Sequence, residues 1–299
     1  MAGAKLSPRA FVTLLLVACL FGANHVAARV AFNHGLDVAT AVAVRSLGTA
    51  ALVALLVVVQ GVPRRLSPRQ CKLLLGIGVV LAAQSLSLYS AVLRLPVVLA
   101  LLAFNTFPLW TAFWARVLYR QRPARAVLLA MPLILLGLTL ALDVFGAASG
   151  LGAAAQWGRI GAGVSFAVTA AALFGLALVI TQHEAAEVGG RVRTALTMAV
   201  VGVVALLVVA AQGGPHFPQA PAGWWGLLLL TLLYGTAITV TFTLLPKLGV
   251  VGSSPILNVE PVASLVMAWV VLGQAIAPVQ VLGSLTVVAA VMGLGLRRP

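Results

Sequence analysis

Glu260 is the residue whose chemistry is hardest to reconcile with its surroundings, since it lies in the apolar segment ILNVEP and the chain has only five acidic residues. A lone carboxylate among apolar side chains must be protonated or paired with a cation. The candidate partners are His25, Arg29 and Arg45. Such a carboxylate is a candidate proton-coupling group or a ligand for a substrate ammonium. The alternative is an ion pair that locks two helices together.

Two asparagines precede a proline at the same spacing, Asn105 before Pro108 and Asn258 before Pro261. A proline inside a helix cannot donate to the carbonyl four residues earlier, so each helix should kink and leave one backbone acceptor free. The free carbonyl and the asparagine amide predict a substrate-binding position at each kink, and the two prolines predict hinges. The alternative is that the asparagines bond to neighbouring helices.

Other polar and aromatic residues within apolar segments are candidate ligands, because polar groups at membrane depth are costly and usually functional. Asn24 and His25 are adjacent, Arg45 could hold a substrate carboxylate, and Trp110 could wall an apolar cavity. Helix packing is the structural alternative for each of them. The predicted substrate-binding set is Asn24, His25, Arg45, Tyr89, Asn105, Trp110 and Asn258, with Glu260 as the candidate for proton coupling.

The composition is that of a membrane protein. Of the 299 residues, 62% are hydrophobic and 8% are charged, and the mean hydropathy is +1.12. The net charge of +14 does not predict nucleic-acid binding, because the cations cluster between apolar runs. Neither cysteine has a metal-ligand spacing, and the sequence predicts no metal and no cofactor.

The apolar runs predict ten transmembrane helices, each close to the ~20 residues that cross a bilayer. They cover residues 11–31, 39–60, 73–93, 96–118, 125–144, 160–182, 195–212, 224–245, 251–272 and 278–296. Alternating them from a cytoplasmic N-terminus places most of the 19 lysines and arginines on the cytoplasmic side. The predicted fold is therefore an all-α polytopic membrane protein with both termini in the cytoplasm.

The segments around the two prolines also indicate an internal repeat. Residues 103–122 and 256–275 align through their asparagines and prolines, and they lie in the fourth and ninth predicted spans. Because five spans separate them, the segments cross the membrane in opposite directions, as inverted-topology repeats do. We predict two five-helix repeats, residues 11–144 and 160–296, joined by an extracytoplasmic Gly/Ala-rich linker at residues 145–159.

Three stretches carry a family resemblance: FGANHVAARVAF at residues 21–32, residues 88–123 and residues 253–294. They resemble the EamA family of the drug/metabolite transporter superfamily. The resemblance implies two inverted five-helix repeats around a central cavity and transport of small metabolites, often amino acids moved outward, or drugs. The sequence departs from the family where a common Gly-Glu pair ends helices 4 and 9, since Tyr119-Arg120 and Gly273-Gln274 stand there.

Together these observations predict a secondary active transporter. We expect an exporter of a small organic metabolite, such as an amino acid, that works by alternating access. Its expected partners are the lipid of the inner or plasma membrane, the substrate and, as a candidate, protons; the chain is expected to be a monomer or a homodimer. The alternatives are a multidrug or toxic-compound efflux transporter and an intramembrane enzyme. The sequence contains no HExxH, GxSxG or Walker motif, which disfavours an enzyme.

Overall fold

The computed structural model describes residues 8–61, 66–121, 125–146, 149–248, 260–274 and 277–296. Within these ranges the regular structure is helical, with no strand. The helices are α1 Pro8–Asn33, α2 Val38–Val59, α3 Pro68–Arg94, α4 Val97–Phe104, α5 Phe107–Tyr119, α6 Arg125–Ala141, α7 Ala153–Glu184, α8 Gly190–Ala211, α9 Pro221–Leu248, α10 Glu260–Leu272 and α11 Pro278–Leu296.

Seven segments of the described chain are helical, apolar and long enough to cross a membrane. They fall in the first four predicted spans and in the sixth to eighth, with α4 and α5 together forming the fourth. Shorter apolar helices, Met131–Ala141, Ala263–Leu272 and Pro278–Ala290, lie in the fifth, ninth and tenth predicted spans. The all-α membrane architecture is thus confirmed, whereas the count of ten spans and the side of the termini stay predictions.

Local sequence signals set several helix starts. Ser67 accepts a hydrogen bond from the Gln70 backbone while the Gln70 side chain accepts one from the Ser67 backbone, and Pro68 follows directly. Asp37 accepts from the Thr40 backbone at 2.9 Å and caps α2. Helix α7 begins at Ala153, so the last part of the predicted linker is helical, because alanines have the highest helix propensity.

The fourth predicted span is broken between α4 and α5, at Asn105 and Thr106. The last α-helical hydrogen bond of α4 runs from the Asn105 backbone N–H to the Leu101 carbonyl, at 2.8 Å. Pro108 cannot donate to the Phe104 carbonyl, so the ladder is interrupted just before the proline. The break lies where a kink was predicted. The corresponding segment before Pro261, including Asn258, lies outside the described residues, and Pro261 is the second residue of α10.

The break also changes the environment of the chain. The side chains from Val97 to Ala103 are all less than 5% exposed, so α4 lies in the centre of the bundle. None of the α5 side chains, all of which the structure describes, is fully buried. The helix therefore leaves the core at Asn105 and runs along the outside of the bundle.

The main contacts between helices occur in matching pairs. The helices α1, α2, α3, α5 and α6 of the first half correspond to α7, α8, α9, α10 and α11 of the second, and replacing each helix by its counterpart turns one contact into another. Helix α1 packs against α9 as α3 packs against α7, α1 against α10 as α5 against α7, and α2 against α9 as α3 against α8. In the pairs α2–α8 and α6–α11, each helix packs against its own counterpart. Two repeats related by a pseudo-twofold axis give this pattern, which supports the predicted inverted repeat.

Two glycines permit matching close approaches in the two halves. A Cβ atom on Gly22 would lie 2.7 Å from Ser264 Oγ, and one on Gly175 would lie 2.7 Å from the Thr111 nitrogen. Gly22 and Gly175, like Thr111 and Ser264, are separated by the same 153 residues as the two asparagines. The repeat therefore extends from the sequence pattern to the contacts between helices.

Polar contacts join the halves at both ends of the bundle. At one end, which we call the Glu184 cluster, Tyr119 donates to Glu184 at 3.2 Å and stacks on His183, while Arg69 pairs with Glu184 at 3.6 Å. At the other end, the Asp37 cluster, the His216 backbone donates to Asp37 Oδ2 at 3.0 Å. Each cluster thus links residues of one half to residues of the other.

Candidate substrate-binding site

A cavity of about 270 Å³ lies between the helices that carry most of the predicted ligands. Its walls come from α1, α2, α3, the α4–α5 break, α7, α9 and the start of α10. The residues that line it are Phe21, His25, Arg45, Gln84, Ser85, Leu88, Tyr89, Leu101, Phe104, Asn105, Phe107, Phe174, Tyr234, Ile238 and Glu260. Both halves therefore contribute to one central cavity.

Arg45 is the cation of this cavity, and its side chain is held in a fixed position. Its Nη1 donates to Tyr89 Oη at 3.3 Å and its Nη2 donates to Ser85 Oγ at 3.1 Å. The guanidinium carbon also lies 5.0 Å from the centre of the Tyr89 ring and 4.0 Å from that of the Tyr234 ring. Cation–π attraction and two hydrogen bonds stabilise the guanidinium in a setting where it is only 3% exposed.

The Arg45 charge is not matched by a carboxylate, because no ion pair of the described residues includes it. Its Nε is buried without a hydrogen-bond partner in the described chain. An arginine keeps its charge even when buried, and a buried charge normally requires a counter-ion. The cavity thus presents a positively charged donor group that pairs with no carboxylate of the described chain.

Asn24 lies behind this wall and positions Tyr89. Its Nδ2 donates to Tyr89 Oη at 3.2 Å, and both side chains are fully buried. Since Asn24 does not line the cavity, it acts on the site only through Tyr89. Ser85 was not predicted, although it lies four residues before Tyr89 and so shares its helix face.

Glu260 stands beside His25, with Oε1 at 3.4 Å from Nε2. The Glu260 side chain is 28% exposed and opens on the cavity, whereas that of His25 is 7% exposed and its Nδ1 has no partner in the described chain. Glu260 is also the first residue of α10, where the helix dipole favours negative charge. Arg29, another candidate partner, instead donates to the carbonyls of Val92 and Leu93 at the end of α3.

Three phenylalanines pack together and form an aromatic wall of the cavity. The ring centres of Phe104 and Phe107 are 5.7 Å apart, those of Phe104 and Phe174 are 5.4 Å apart, and those of Phe107 and Phe174 are 5.1 Å apart. These distances are typical of favourable aromatic packing. The cavity therefore combines two charged side chains, Arg45 and Glu260, with an aromatic wall at the α4–α5 break.

The sequence profile of the EamA-like transporter family matches residues 9–142 and 161–296. The chain belongs to this family. The family is part of the drug/metabolite transporter superfamily, and the two matched ranges correspond to the two halves described above.

Solved structures support the same fold, whereas no curated protein matches the chain. Fourteen chains of solved structures match. One of them, described only as "Crystal structure of protein", covers 96% of this chain and 96% of its own length with a TM-score of 0.64. Its sequence identity of 18% means that the likeness extends to the fold alone.

The two EamA repeats carry different side chains at one pair of equivalent positions that line the cavity. With the offset of 153 residues, Glu260 of the second repeat corresponds to Phe107 of the first, while Phe174 corresponds to Phe21. Phenylalanine thus stands at both positions of the second pair, whereas the first pair places a carboxylate in one repeat and an aromatic ring in the other. No local pattern around Phe107 indicated this role, since it depends on the alignment of the two halves.

Trp110 lies at a different cavity from the predicted ligands that line the central one. Asn105, at the end of α4, lines the central cavity, but Trp110 lines a separate apolar cavity of about 410 Å³ with Leu109 and Phe113. The break at Asn105 and Thr106 turns the following helix so that its aromatic face leaves the centre. The sequence predicted Asn105 as a polar ligand and Trp110 as part of an apolar wall, and the structure places them at two different cavities.

The two departures from the family pattern have structural roles. Gln274, after α10, accepts a hydrogen bond from the Val97 backbone at 3.2 Å and so satisfies a donor near the first turn of α4. Tyr119, at the end of α5, contributes to the Glu184 cluster. At both positions the side chain links the two repeats.

Proposed function

We propose that this EamA protein is a secondary active transporter that exports a small organic metabolite, with an amino acid as the substrate class. The observation that carries this proposal is the unmatched Arg45 on a cavity that also holds Glu260. Intramembrane charged residues mark substrate pathways, because an unpaired charge at that depth is costly. A zwitterionic amino acid offers one group for each of the two charges.

In the proposed complex, the substrate carboxylate binds the Arg45 guanidinium with its planar N–H groups. The substrate ammonium approaches Glu260, and the apolar side chain packs against Phe104, Phe107 and Phe174. Gln84 and Asn105 supply additional polar groups at the edge of the cavity. The size of about 270 Å³ suits one such molecule.

Transport proceeds by alternating access, in which the two repeats rock about the central cavity and open it to one side at a time. The α4–α5 break next to Pro108 is one proposed flexible point, and the segment at Pro261 is the second. The Glu184 and Asp37 clusters lie at opposite ends of the bundle and join the two repeats. In this mechanism each cluster separates when its own side opens.

Glu260 is the proposed proton-coupling group, with His25 as its neighbour. Protonation of the carboxylate removes the charge that holds the substrate ammonium and so favours release. Export against a gradient would then use the inward movement of protons.

A second candidate function, efflux of an apolar or cationic drug, is favoured by the aromatic wall alone. A lipophilic cation would stack on the phenylalanines and approach Glu260. The same cation would be repelled by Arg45, which is why we place the amino acid first. An enzymatic role has no support from the described residues, among which no cluster of three metal-ligating side chains occurs.

The proposed setting is the inner or plasma membrane, with ten helices, cytoplasmic termini and a monomer or homodimer as the assembly. The positive charges of the predicted cytoplasmic loops support this orientation. The proposed partners are lipid, the small-molecule substrate and protons, without nucleic acid, metal or cofactor.

The test is efflux from preloaded proteoliposomes with a labelled panel of amino acids and drugs, with and without a pH gradient. Wild type would be compared with Glu260→Gln and with Glu187→Gln, which makes the same change in an exposed loop. We expect amino-acid efflux that responds to the gradient in wild type and Glu187→Gln but not in Glu260→Gln. Drug efflux without amino-acid efflux would support the second candidate instead.

A further inference from the structure

The apolar cavity beside Trp110 has a different character from the central one. It lies between α5, α6 and α7 and measures about 410 Å³. Its residues include Leu109 and Phe113 of α5, Met131 and Leu135 of α6, and Val168 of α7. No charged side chain lines it, so it offers a substrate carboxylate or ammonium no partner.

This cavity opens toward the lipid rather than toward the substrate pathway. Phe113, Leu135 and Met131 are 49%, 51% and 36% exposed, respectively, on helices of the membrane-embedded bundle. The polar residue at its floor, Thr106, donates its hydroxyl to the Ala103 carbonyl at 2.8 Å and so has no free donor. Water would find few hydrogen-bond partners among these side chains, so the cavity suits an apolar occupant.

The same face of α5 continues from the cavity to two cations. Leu109, Phe113 and Arg116 follow one another at spacings of four and three residues, which places them on one helix face. Arg116 lies in the last turn and Arg120 caps the helix, and both side chains are exposed. Leu109 and Arg116 are separated by roughly 10 Å along the axis at ~1.5 Å per residue.

We propose that this cavity and the two arginines form a binding site for one anionic phospholipid. An acyl chain fills the space between α5 and α6, and the lipid phosphate binds Arg116 and Arg120. Anionic headgroups attract arginines near the membrane surface, and buried methylenes add apolar affinity. The site is independent of the transported compound.

The place of this lipid in the fold gives it a role. Thr106 forms the floor of the lipid cavity, and the neighbouring Asn105 lines the central cavity, so the α4–α5 break separates the two sites by one residue. A chain lodged beside the break supports α5 against α6 on the outside of the bundle. Lipid occupancy therefore stabilises one geometry of the segment that borders the substrate cavity.

The experiment is native mass spectrometry of the full chain, delipidated in detergent and titrated with phosphatidylglycerol or phosphatidylcholine. Leu135→Trp fills the cavity. Leu133→Trp makes the same change at a residue of the same helix that is also 51% exposed but does not line the cavity. Arg116→Gln removes the proposed phosphate ligand, and Arg159→Gln removes an exposed arginine on α7.

We expect wild type to retain one phosphatidylglycerol molecule in preference to phosphatidylcholine, with Leu133→Trp and Arg159→Gln behaving alike. Leu135→Trp should weaken retention of both lipids by at least about tenfold, a loss of about 1.4 kcal/mol. Arg116→Gln should reduce only the preference for phosphatidylglycerol, by about fivefold, since one arginine near a membrane surface contributes about 1 kcal/mol.

Three results would overturn the proposal. One is equal loss of lipid in Leu133→Trp and Leu135→Trp, which is the behaviour of lipid bound all around the protein. Another is equal retention of the two lipids by wild type, which removes the role of the arginines. The third is a dimer mass that disappears in Leu135→Trp, which would assign the cavity to a second copy of the chain.

Discussion

At the scale of single residues, the central cavity depends on Arg45 and the groups that hold it. Tyr89 carries two roles, since its hydroxyl accepts from Arg45 and exchanges hydrogen bonds with Asn24. Removing the Arg45 charge and removing the Tyr89 hydroxyl should have different consequences. Loss of the charge removes the proposed ligand for the substrate carboxylate, whereas loss of the hydroxyl leaves a buried amide unsatisfied.

Arg45→Gln should abolish selective transport of carboxylate-bearing substrates. A hydrogen bond to a charged group contributes about 1.5–3 kcal/mol, so substrate affinity should fall by about ten- to a hundredfold. Competition of labelled substrate by an amino acid and by its methyl ester measures this. The ester should compete equally well in wild type and variant if the guanidinium binds the carboxylate. Equal loss for acid and ester would contradict that assignment, and Arg159→Gln serves as the control.

Tyr89→Phe should lower thermal stability in detergent by about 1–3 kcal/mol, because Asn24 then lacks a partner in a fully buried position. Tyr234→Phe is the matched control, since among the described residues the Tyr234 hydroxyl contacts Met198 Sδ alone, weakly and at 3.8 Å. Thermal unfolding followed by circular dichroism measures both variants. Equal stability of the two variants would show that Asn24 finds another partner.

At the scale of elements, close helix packing and the α4–α5 break position the cavity walls. Gly175 brings α7 against the backbone of α5, and this contact holds Phe174 beside Phe107. A break in one helix and a close contact on its neighbour thus together build the aromatic wall. Changes at either place should act on the cavity without touching a polar ligand.

Gly175→Ala should destabilise the protein, because its Cβ would lie 2.7 Å from the Thr111 nitrogen and force the helices apart. We expect a cost of about 1–3 kcal/mol, the range for overpacking. Gly158→Ala is the matched control on the same helix, since nothing lies within 4 Å of its added Cβ. Thermal unfolding of both variants is the measurement. Similar melting temperatures would mean that α5 and α7 can separate at little cost.

Pro108→Ala should restore the donor to the Phe104 carbonyl and favour a continuous α4–α5 helix. If the break is a flexible point of the transport cycle, the efflux rate should fall while thermal stability is maintained or increased. Pro132→Ala, inside α6, is the control for a proline on a helix outside the central cavity. An unchanged efflux rate in Pro108→Ala would leave the break a purely structural feature.

At the scale of the whole molecule, the proposed mechanism assigns the closure of each end of the bundle to one of the two polar clusters. The Glu184 cluster and the Asp37 cluster both join the repeats, and they lie at opposite ends. In an alternating-access transporter the population of each state depends on contacts that exist only in that state. Weakening one cluster should therefore favour opening at its own end.

Glu184→Gln and Asp37→Asn should shift accessibility of the cavity in opposite directions, each by about two- to tenfold, as expected for contacts of about 0.5–1.5 kcal/mol. A cysteine at the cavity position Gln84, with Cys19 and Cys71 replaced by serine, would report labelling by an impermeant maleimide from each side. Glu187→Gln is the matched control in the loop after α7. Shifts of the same sign would contradict a two-ended arrangement.

Much of the fold was predictable from the sequence, for reasons that are local. Continuous apolar runs must form helices in lipid because the backbone has no other hydrogen-bond partner there, and Pro108 interrupts its helix because it lacks an N–H. The spacing of Asn105 and Asn258 predicted the repeat, and the packing of Gly22 and Gly175 follows the same offset. An intramembrane carboxylate such as Glu260 needs a partner in any fold.

What the tertiary structure decided is which side chains meet. His25 rather than Arg29 lies beside Glu260, Ser85 and Tyr89 hold Arg45, and Trp110 lines a second, apolar cavity. The sequence alone determined the elements, the repeat and the set of costly polar groups. It did not determine the rotation of each helix, because apolar residues cover both the lipid-facing and the core-facing sides, so that only packing between distant helices distinguishes them.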